Sequence, residues 1–351
     1  MKKTTAIGLA LLSAALFGAS TPAAKWLLTS LGPWLLAGLL YLGSGLGLST
    51  VILARRMMRV TVEEAPLRLP DTPWLAGAVF FGGVVGPVLL MLGLAQTAAS
   101  TAALLLNLEG LATMAIAWMV FRENVDRRLL LGAFAILVGA MLLSWNGGAL
   151  GGVQPGAILV AGACVAWGVD NNLTRKISGA DPMQIAAVKG LVAGLVNVAI
   201  GLGGGAATPA ASAFALAALV GFFGYGVSLI CFILALRHLG TARTGAYFST
   251  APFVGAVLSV ILFGDHVTIW LGLAAALMAL GVWLHLTEQH GHEHAHEALE
   301  HEHAHVHDEH HQHDHGPDDP PDEPHTHRHR HRPLVHAHAH FPDLHHRHGH
   351  G

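Results

Sequence analysis

Ten apolar runs occupy most of the first 287 residues, at about 5–28, 33–54, 73–94, 98–120, 128–145, 155–174, 183–203, 213–236, 242–263 and 267–287. A helix needs roughly 20 residues to cross about 30 Å of hydrocarbon, and each run is close to that length. Isolated strands cannot satisfy their backbone in lipid, so every run reads as a helix. The fold class follows: an all-α membrane protein of ten transmembrane helices. Composition agrees, with 53% of the chain hydrophobic and 12% charged, where soluble domains carry about 25% charged residues. Close glycine spacings such as Gly82-Gly83/Gly86 and Gly221/Gly224/Gly226 suit helices whose backbones approach without a hydrophobic drive.

The loops set the orientation. Lys2/Lys3, Arg55/Arg56/Arg59/Arg68, Arg122/Arg127/Arg128, Arg175/Lys176 and Arg237/Arg243 flank every second loop, starting at the N-terminus. The alternate loops, near 29–32, 95–97, 146–154, 204–212 and 264–266, contain no Lys or Arg. By the positive-inside rule the N-terminus is cytoplasmic, and ten crossings return the C-terminus to the same side of the inner (plasma) membrane. The first 26 residues imitate a secretory signal, but the same segment has a partner later in the chain, so it is retained as helix 1.

That partner belongs to an internal repeat. Residues 94–143 align without gaps to 236–285: Phe121-Arg122-Glu123 meets Phe263-Gly264-Asp265, and Gly139 meets Gly281. Upstream, Phe17-Gly18 and Lys25 match Trp167-Gly168 and Arg175. Five helices per half put the copies in opposite orientations, a transporter design in which rocking one half against the other gives alternating access. The chain divides into repeat 1 (1–145), repeat 2 (154–287) and a tail (288–351).

Ten helices in two halves, with LLLNLEGLATMAIAWMVFRENV at 104–125, resemble the EamA type of the drug/metabolite transporter superfamily. That type often carries Leu-x-x-Leu-Glu-Pro, an apolar run and a Gly-Glu turn here. Leu105 to Glu109 fit; Gly110 stands where Pro is usual and Arg122 where Gly is usual. In the second half Pro252 keeps the proline while Ala251 replaces the acid. The resemblance implies a secondary active carrier, an exporter rather than an importer, and leaves the cargo open.

A charge inside a bilayer costs about 2.5–3.5 kcal/mol on insertion scales, so each one needs a reason. Glu109 lies midway along helix 4 with Asn107 close by and no basic residue in the span. It is a candidate for the translocation path and for proton coupling; an acid hydrogen-bonded purely for packing is the bland alternative. Asp170-Asn171-Asn172 ends helix 6 within reach of Arg175 or Lys189, as an inner gate or as an ordinary helix-end polar cluster. Lys25 and Arg175 are repeat partners at opposite rims, and Lys25 and Lys189 are both long enough to snorkel. Trp26, Trp118 and Trp167 suit either a pocket or interfacial anchoring. His285 reads as interfacial, and Cys164 and Cys231 as packing residues in separate apolar runs. No phosphate-binding loop and no nucleophile–base spacing points to an enzyme.

The tail has a different character. It holds 23 of the 26 histidines, 13 Asp+Glu and 4 Arg, a low-complexity composition that reads as disordered. His301, His303, His305, His307, His310, His311, His313 and His315 offer neutral imidazoles for Zn, Ni or Co, as exchangeable sites that lose metal to protons near the ordinary His pKa of about 6.5. No resident cofactor is required. The expected partners are lipid, a small-molecule cargo, divalent metal on the tail and no nucleic acid, and a homodimer is compatible with the pattern. A metabolite carrier is the leading function; a Ni/Co/Zn efflux carrier and a membrane-anchored metal buffer or sensor are the alternatives. The spans lack deep His or Cys pairs, which weighs against metal as cargo. A reporter fused at residue 288 is expected to behave as cytoplasmic and one in the 146–154 loop as external; the reverse result would overturn the orientation.

Overall fold

The computed structural model describes residues 3–59, 65–121, 127–144, 154–177, 180–239, 244, 247–286 and four tail segments, 291–296, 300–305, 325–330 and 334–339. Eight helical segments are long and apolar enough to cross a membrane: Thr4–Leu27, Pro33–Met57, Leu69–Gln96, Ala99–Val120, Arg127–Ser144, Pro155–Lys176, Pro182–Gly203 and Ala211–Ala235. Two shorter apolar helices, Ala251–Phe263 and Ile269–His285, follow them. In chain order the α-helices are α1 (Lys3–Leu27), α2 (Pro33–Met57), α3 (Thr72–Ala78), α4 (Gly86–Gln96), α5 (Ala99–Leu105), α6 (Leu108–Phe121), α7 (Arg127–Ser144), α8 (Pro155–Lys176), α9 (Pro182–Gly203), α10 (Ala211–Gly221), α11 (Ser228–Leu239), α12 (Ala251–Phe263) and α13 (Ile269–Leu286).

Local chemistry sets the ends. Pro33, Pro155 and Pro182 open α2, α8 and α9, where the missing N–H costs nothing. The Asp181 carboxylate accepts from Met183 N at 2.8 Å and caps α9. Gly264, at φ 63°, closes α12 in the left-handed conformation that glycine adopts without a Cβ penalty.

Two irregularities depart from the sequence reading. The run 98–120, read as one helix, is broken at Leu106-Asn107, so Glu109 lies in the first turn of α6 rather than midway along a helix. Asn107 causes the break locally: its amide side chain donates to Leu104 O at 2.9 Å while its backbone N turns back to the same carbonyl. A similar break precedes α12, where Thr250 N and Oγ1 both reach Tyr247 O. In addition, α3 runs into α4 through a π-helical segment, Val79–Val85, and α10 into α11 through another, Phe222–Val227. Their sequences, FFGGVV from Phe80 and FFGYGV from Phe222, are 142 apart. The repeat therefore extends upstream of residue 94 and includes its backbone distortions.

Packing follows the same pseudo-symmetry. Helices α2 and α9, repeat partners, meet at Gly45 and Gly190, where a Cβ on Gly190 would lie 2.7 Å from Gly45 Cα and 2.8 Å from Tyr41 O. Helices α7 and α13, also partners, meet at Gly132 and Gly281, each pressed against the other's carbonyl. Gly18 of α1 abuts Ala251 and Val254 of α12, as Gly168 of α8 abuts Ala112 and Thr113 of α6. The four contacts obey one rule: the repeats interlock through glycine.

The four described tail segments are strands, β1 (Gly291–His296), β2 (Glu300–His305), β3 (His325–Arg330) and β4 (Leu334–Ala339), pairing β1 with β4 and β2 with β3, both antiparallel. The His-x-His alternation there has the two-residue period of a strand. His307, His310, His311, His313 and His315 lie outside the described residues.

Close helix contact at Gly190 gives a direct test. Gly190→Ala is expected to lower stability by about 1–3 kcal/mol through overpacking, read as a lower unfolding temperature in detergent. Gly272→Ala is the control, because nothing lies within 4 Å of a Cβ there. An unchanged melting temperature for Gly190→Ala would contradict the tight α2–α9 contact.

Candidate functional site

Helix α8 brings four side chains to one level of the bundle: Trp167, Asp170, Asn171 and Asn172. Asp170 forms an ion pair with Lys189 of α9, the two side chains only 6% and 10% exposed. Thr174 Oγ1 donates to the second carboxylate oxygen of Asp170 at 3.0 Å. The carboxylate also rests against the backbone of Gly82, where a Cβ would collide with it. Charges removed from water this thoroughly persist only when paired and hydrogen-bonded, and both conditions are met.

The π-helical segment supplies the wall behind this pair. A π-turn shifts the i→i−4 ladder and exposes carbonyls, which in lipid must find donors. Tyr41 Oη donates to Gly82 O at 2.6 Å and Trp167 Nε1 to the same oxygen at 3.0 Å. Asn197 Nδ2 donates to Gly83 O at 3.0 Å. Helices α2, α8 and α9 thus each contribute one side chain to two adjacent carbonyls. The amide oxygen of Asn197, Oδ1, is buried without a partner among the described residues.

Glu109 sits beside this cluster on α6, half-buried. As an acid in the first helical turn it faces the positive end of the α6 dipole. Asn171 Nδ2 donates to Glu109 Oε1 at 3.0 Å and to Thr113 Oγ1 at 3.1 Å, and Thr113 Oγ1 in turn donates to Glu109 O at 2.9 Å. Asn172 ties the same two helices, donating to Thr113 O at 3.1 Å and Gly168 O at 2.8 Å. The Glu109 carboxylate is therefore held by an amide, and among the described residues no cation is paired with it; Asn171 is open to the exterior.

Aromatic rings complete the interior. Phe17 packs against Trp167 at 6.3 Å, Tyr225 at 5.9 Å and Phe248 at 5.4 Å between centroids, and Tyr41 lies 5.3 Å from Tyr225. By the repeat, Ser20 stands where α8 has Asp170, and Ala251 where α6 has Glu109. Gly224, the counterpart of Gly82, abuts Ser20 as Gly82 abuts Asp170. One lobe of the pseudo-symmetric interior is charged, its mirror apolar and aromatic.

Several expected residues fall elsewhere. Lys189 does not snorkel; it is buried and paired with Asp170. Arg175 occupies the last turn of α8. Lys25 Nζ donates to Leu94 O and Thr97 O, capping the free carbonyls that end α4. Asn107 is buried at the helix break, with Met278 Sδ at 3.8 Å, and makes no hydrogen bond to Glu109. Trp167 is interior, whereas Trp26 and Trp118 are 55% and 51% exposed. Cys164 and Cys231 are free thiols, and His285 Nε2 lies 3.1 Å from Leu129 O. Among the described residues no three His, Cys, Asp or Glu converge as a metal site. Tyr41, Thr113 and Asn197 were missed; the doubled FFGG/FFGY stretch was the available signal for the distorted helix they serve.

The family model of the EamA-like transporter family matches residues 4–145 and again 154–287. The chain belongs to that family. An uncharacterized transporter of Methanothermobacter thermautotrophicus is 28% identical over 281 residues, covering 76% of this chain and 82% of its own. The uncharacterized transporter YyaM of Bacillus subtilis is 22% identical over 224 residues, covering 57% and 70%. A solved crystal structure of a protein shares the fold at a TM-score of 0.57 and 19% identity, covering 81% of this chain and 96% of its own. This EamA-like chain is thus a multi-pass membrane protein with a transporter's two-repeat body.

The ion pair yields a prediction. Lys189→Met leaves Asp170 buried and unpaired and is expected to cost about 3–5 kcal/mol, read as loss of folded, monodisperse protein. Adding Asp170→Asn is expected to recover much of that loss, a coupling that a double-mutant cycle in detergent measures directly. Additive losses would mean that the pair is not the source of the cost.

Proposed function

We propose that this protein is a secondary active carrier that exports a small metabolite by alternating access. In this reading ten helices cross the inner membrane and both termini are cytoplasmic. The observation that carries it is the buried polar cluster of Glu109, Asp170 and Lys189, set between the repeats beside a broken helix and a π-helical segment. Interrupted helices near the midplane of inverted repeats are where carriers bind cargo and coupling ions, and intramembrane ionisable groups are functional by default.

The roles divide by environment. Asp170 and Lys189 neutralise one another in a closed site, so they suit a contact that breaks and reforms as α8 and α9 separate. Glu109 shares its oxygen with an amide at an open edge, so it can exchange a proton or release a cargo group without stranding a partner charge. The aromatic lobe of Phe17, Tyr225 and Phe248 would cover the apolar side of an organic cargo. Lys25 and Arg175 would stand at the outer and inner rims, with Asn107 and Asn171 along the path.

Glu109→Gln preserves size and hydrogen bonding but cannot titrate. With a cargo identified by growth-inhibition screening of an overexpressing strain, the variant is expected to insert normally, to lose proton-driven transport by at least tenfold and to retain exchange at equal pH. Wild-type transport by Glu109→Gln would reduce this residue to helix packing.

A second reading, divalent-metal efflux or a membrane-anchored metal buffer or sensor, is favoured only by the histidine tail. Deleting 288–351 separates the cases. A metabolite carrier is expected to keep its transport rate, an exporter of Ni, Co or Zn to lose its host's metal tolerance, and a buffer to lose every metal phenotype.

A further inference from the structure

On the proposed orientation, residues 1–287 place only two of their Lys, Arg, Asp and Glu at the outer side: Lys25 and Asp265. They lie far apart in sequence, and the fold sends both to the same turn, the one that joins α4 to α5. Lys25 Nζ donates to Leu94 O and, at 2.9 Å, to Thr97 O. Those carbonyls close α4, where a helix leaves acceptors without partners and favours a cation. Asp265 Oδ2 accepts from Ser100 N at 2.9 Å, three residues further on. Opposite charges thus hold one hairpin tip from two sides.

The two charges and the tip they hold belong to different faces of the bundle. Lys25 is on α1, which is joined to α11 by reciprocal bonds, Ser13 Oγ to Ser228 O at 2.7 Å and Ser228 Oγ to Ser13 O at 3.0 Å. The same helix meets α12 through Gly18, and Asp265 follows α12 directly. Helix α4 packs instead on α8, with Gly93 pressed against Val160 and Gly156 O. Below the tip, α5 and α12 touch at Ala103 and Gly255, a contact of small apolar groups that parts without stranding a polar one. Lys25 and Asp265 are both half-buried, so parting returns each to water at the interface, Lys25 by extending its stem. Such a joint holds the tip closed yet opens without burying an unpaired charge.

We propose that Lys25 and Asp265 form the outer gate, a two-point latch that holds the α4–α5 turn against α1 and α12 while the outer side is closed and releases it when the cavity opens outward. This rests on the alternating-access reading and deepens it by naming the contact that shuts one side. It also accounts for a lysine at the outer end of α1, which runs against the bias of basic residues toward the cytoplasm. Asp265 is the residue this adds to the transport cycle.

The test uses the full-length protein in a Cys164→Ala, Cys231→Ala background, with Lys25→Met, Asp265→Ala and the two combined. A single cysteine replaces Ser20, which is 3% exposed in the interior beside Gly224. A membrane-impermeant thiol reagent is applied from outside to intact cells and from the cytoplasmic side to inside-out vesicles. Either single latch variant is expected to raise the outside labelling rate at least threefold and the combined variant at least tenfold, with no gain from the cytoplasmic side. Outside rates within twofold of the unaltered latch in all three variants would overturn the gate. Gains from both sides together would mean a leak and would overturn alternating access itself. Spin labels in lipid nanodiscs separate gating from local loosening. Labels at Gln96 and Val267, both exposed, straddle the latch, and the combined variant is expected to show a longer-distance population. Labels at Gln96 and Ile158, on the α4–α8 face, are expected to keep their distance. Equal broadening of the two pairs would mean a frayed turn and overturn the inference.

Discussion

Lipid offers no hydrogen bonds, and most of this structure is a response to that fact. A regular helix satisfies its own backbone, so any departure from regularity must recruit donors from elsewhere in the protein. The π-helical turn at Val79–Val85 recruits Tyr41, Trp167 and Asn197; the end of α4 recruits Lys25; the break before α6 recruits Asn107. Each recruited side chain comes from, or reaches across to, a different helix. Distorted backbone therefore does two things at once: it locks neighbouring helices together, and it gathers polar groups at one level of the bundle.

Glycine makes the gathering possible. Asp170 rests on α3–α4 because Gly82 has no side chain, and α2 meets α9 because Gly45 and Gly190 have none. Small residues at helix crossings bring backbones within van der Waals contact where no hydrophobic effect acts between helices. The charged pair is a product of the same closeness, since Lys189 of α9 meets Asp170 of α8 against the α3–α4 backbone.

Much of this was legible in the residues. The repeat, the apolar runs and the isolated charges at Glu109, Asp170 and Lys189 all stand out against a hydrophobic background. The pairing of those charges did not, because a lysine six residues into a helix reads equally well as snorkelling outward or as turning inward; only neighbouring helices decide. The break at Asn107 was hidden inside a continuous apolar run, since hydropathy reports burial and not backbone path. Tyr41 and Asn197 were invisible for a related reason: their partners are carbonyls, which carry no sequence signature until the helix that frees them is known.

The interlock of Asp170, Lys189, Gly82 and Tyr41 has a consequence for how such a body can diverge. A change in any one member of the set leaves a buried charge unpaired, fills occupied space or removes a donor from a freed carbonyl, so single substitutions there lower stability. The mirror lobe, where Ser20 replaces the acid and Phe17, Tyr225 and Phe248 meet ring against ring, carries no such debt, because apolar surfaces of similar volume exchange with modest penalties. Descendants of this chain are thus steered toward varying the aromatic lobe, while the charged lobe stays fixed.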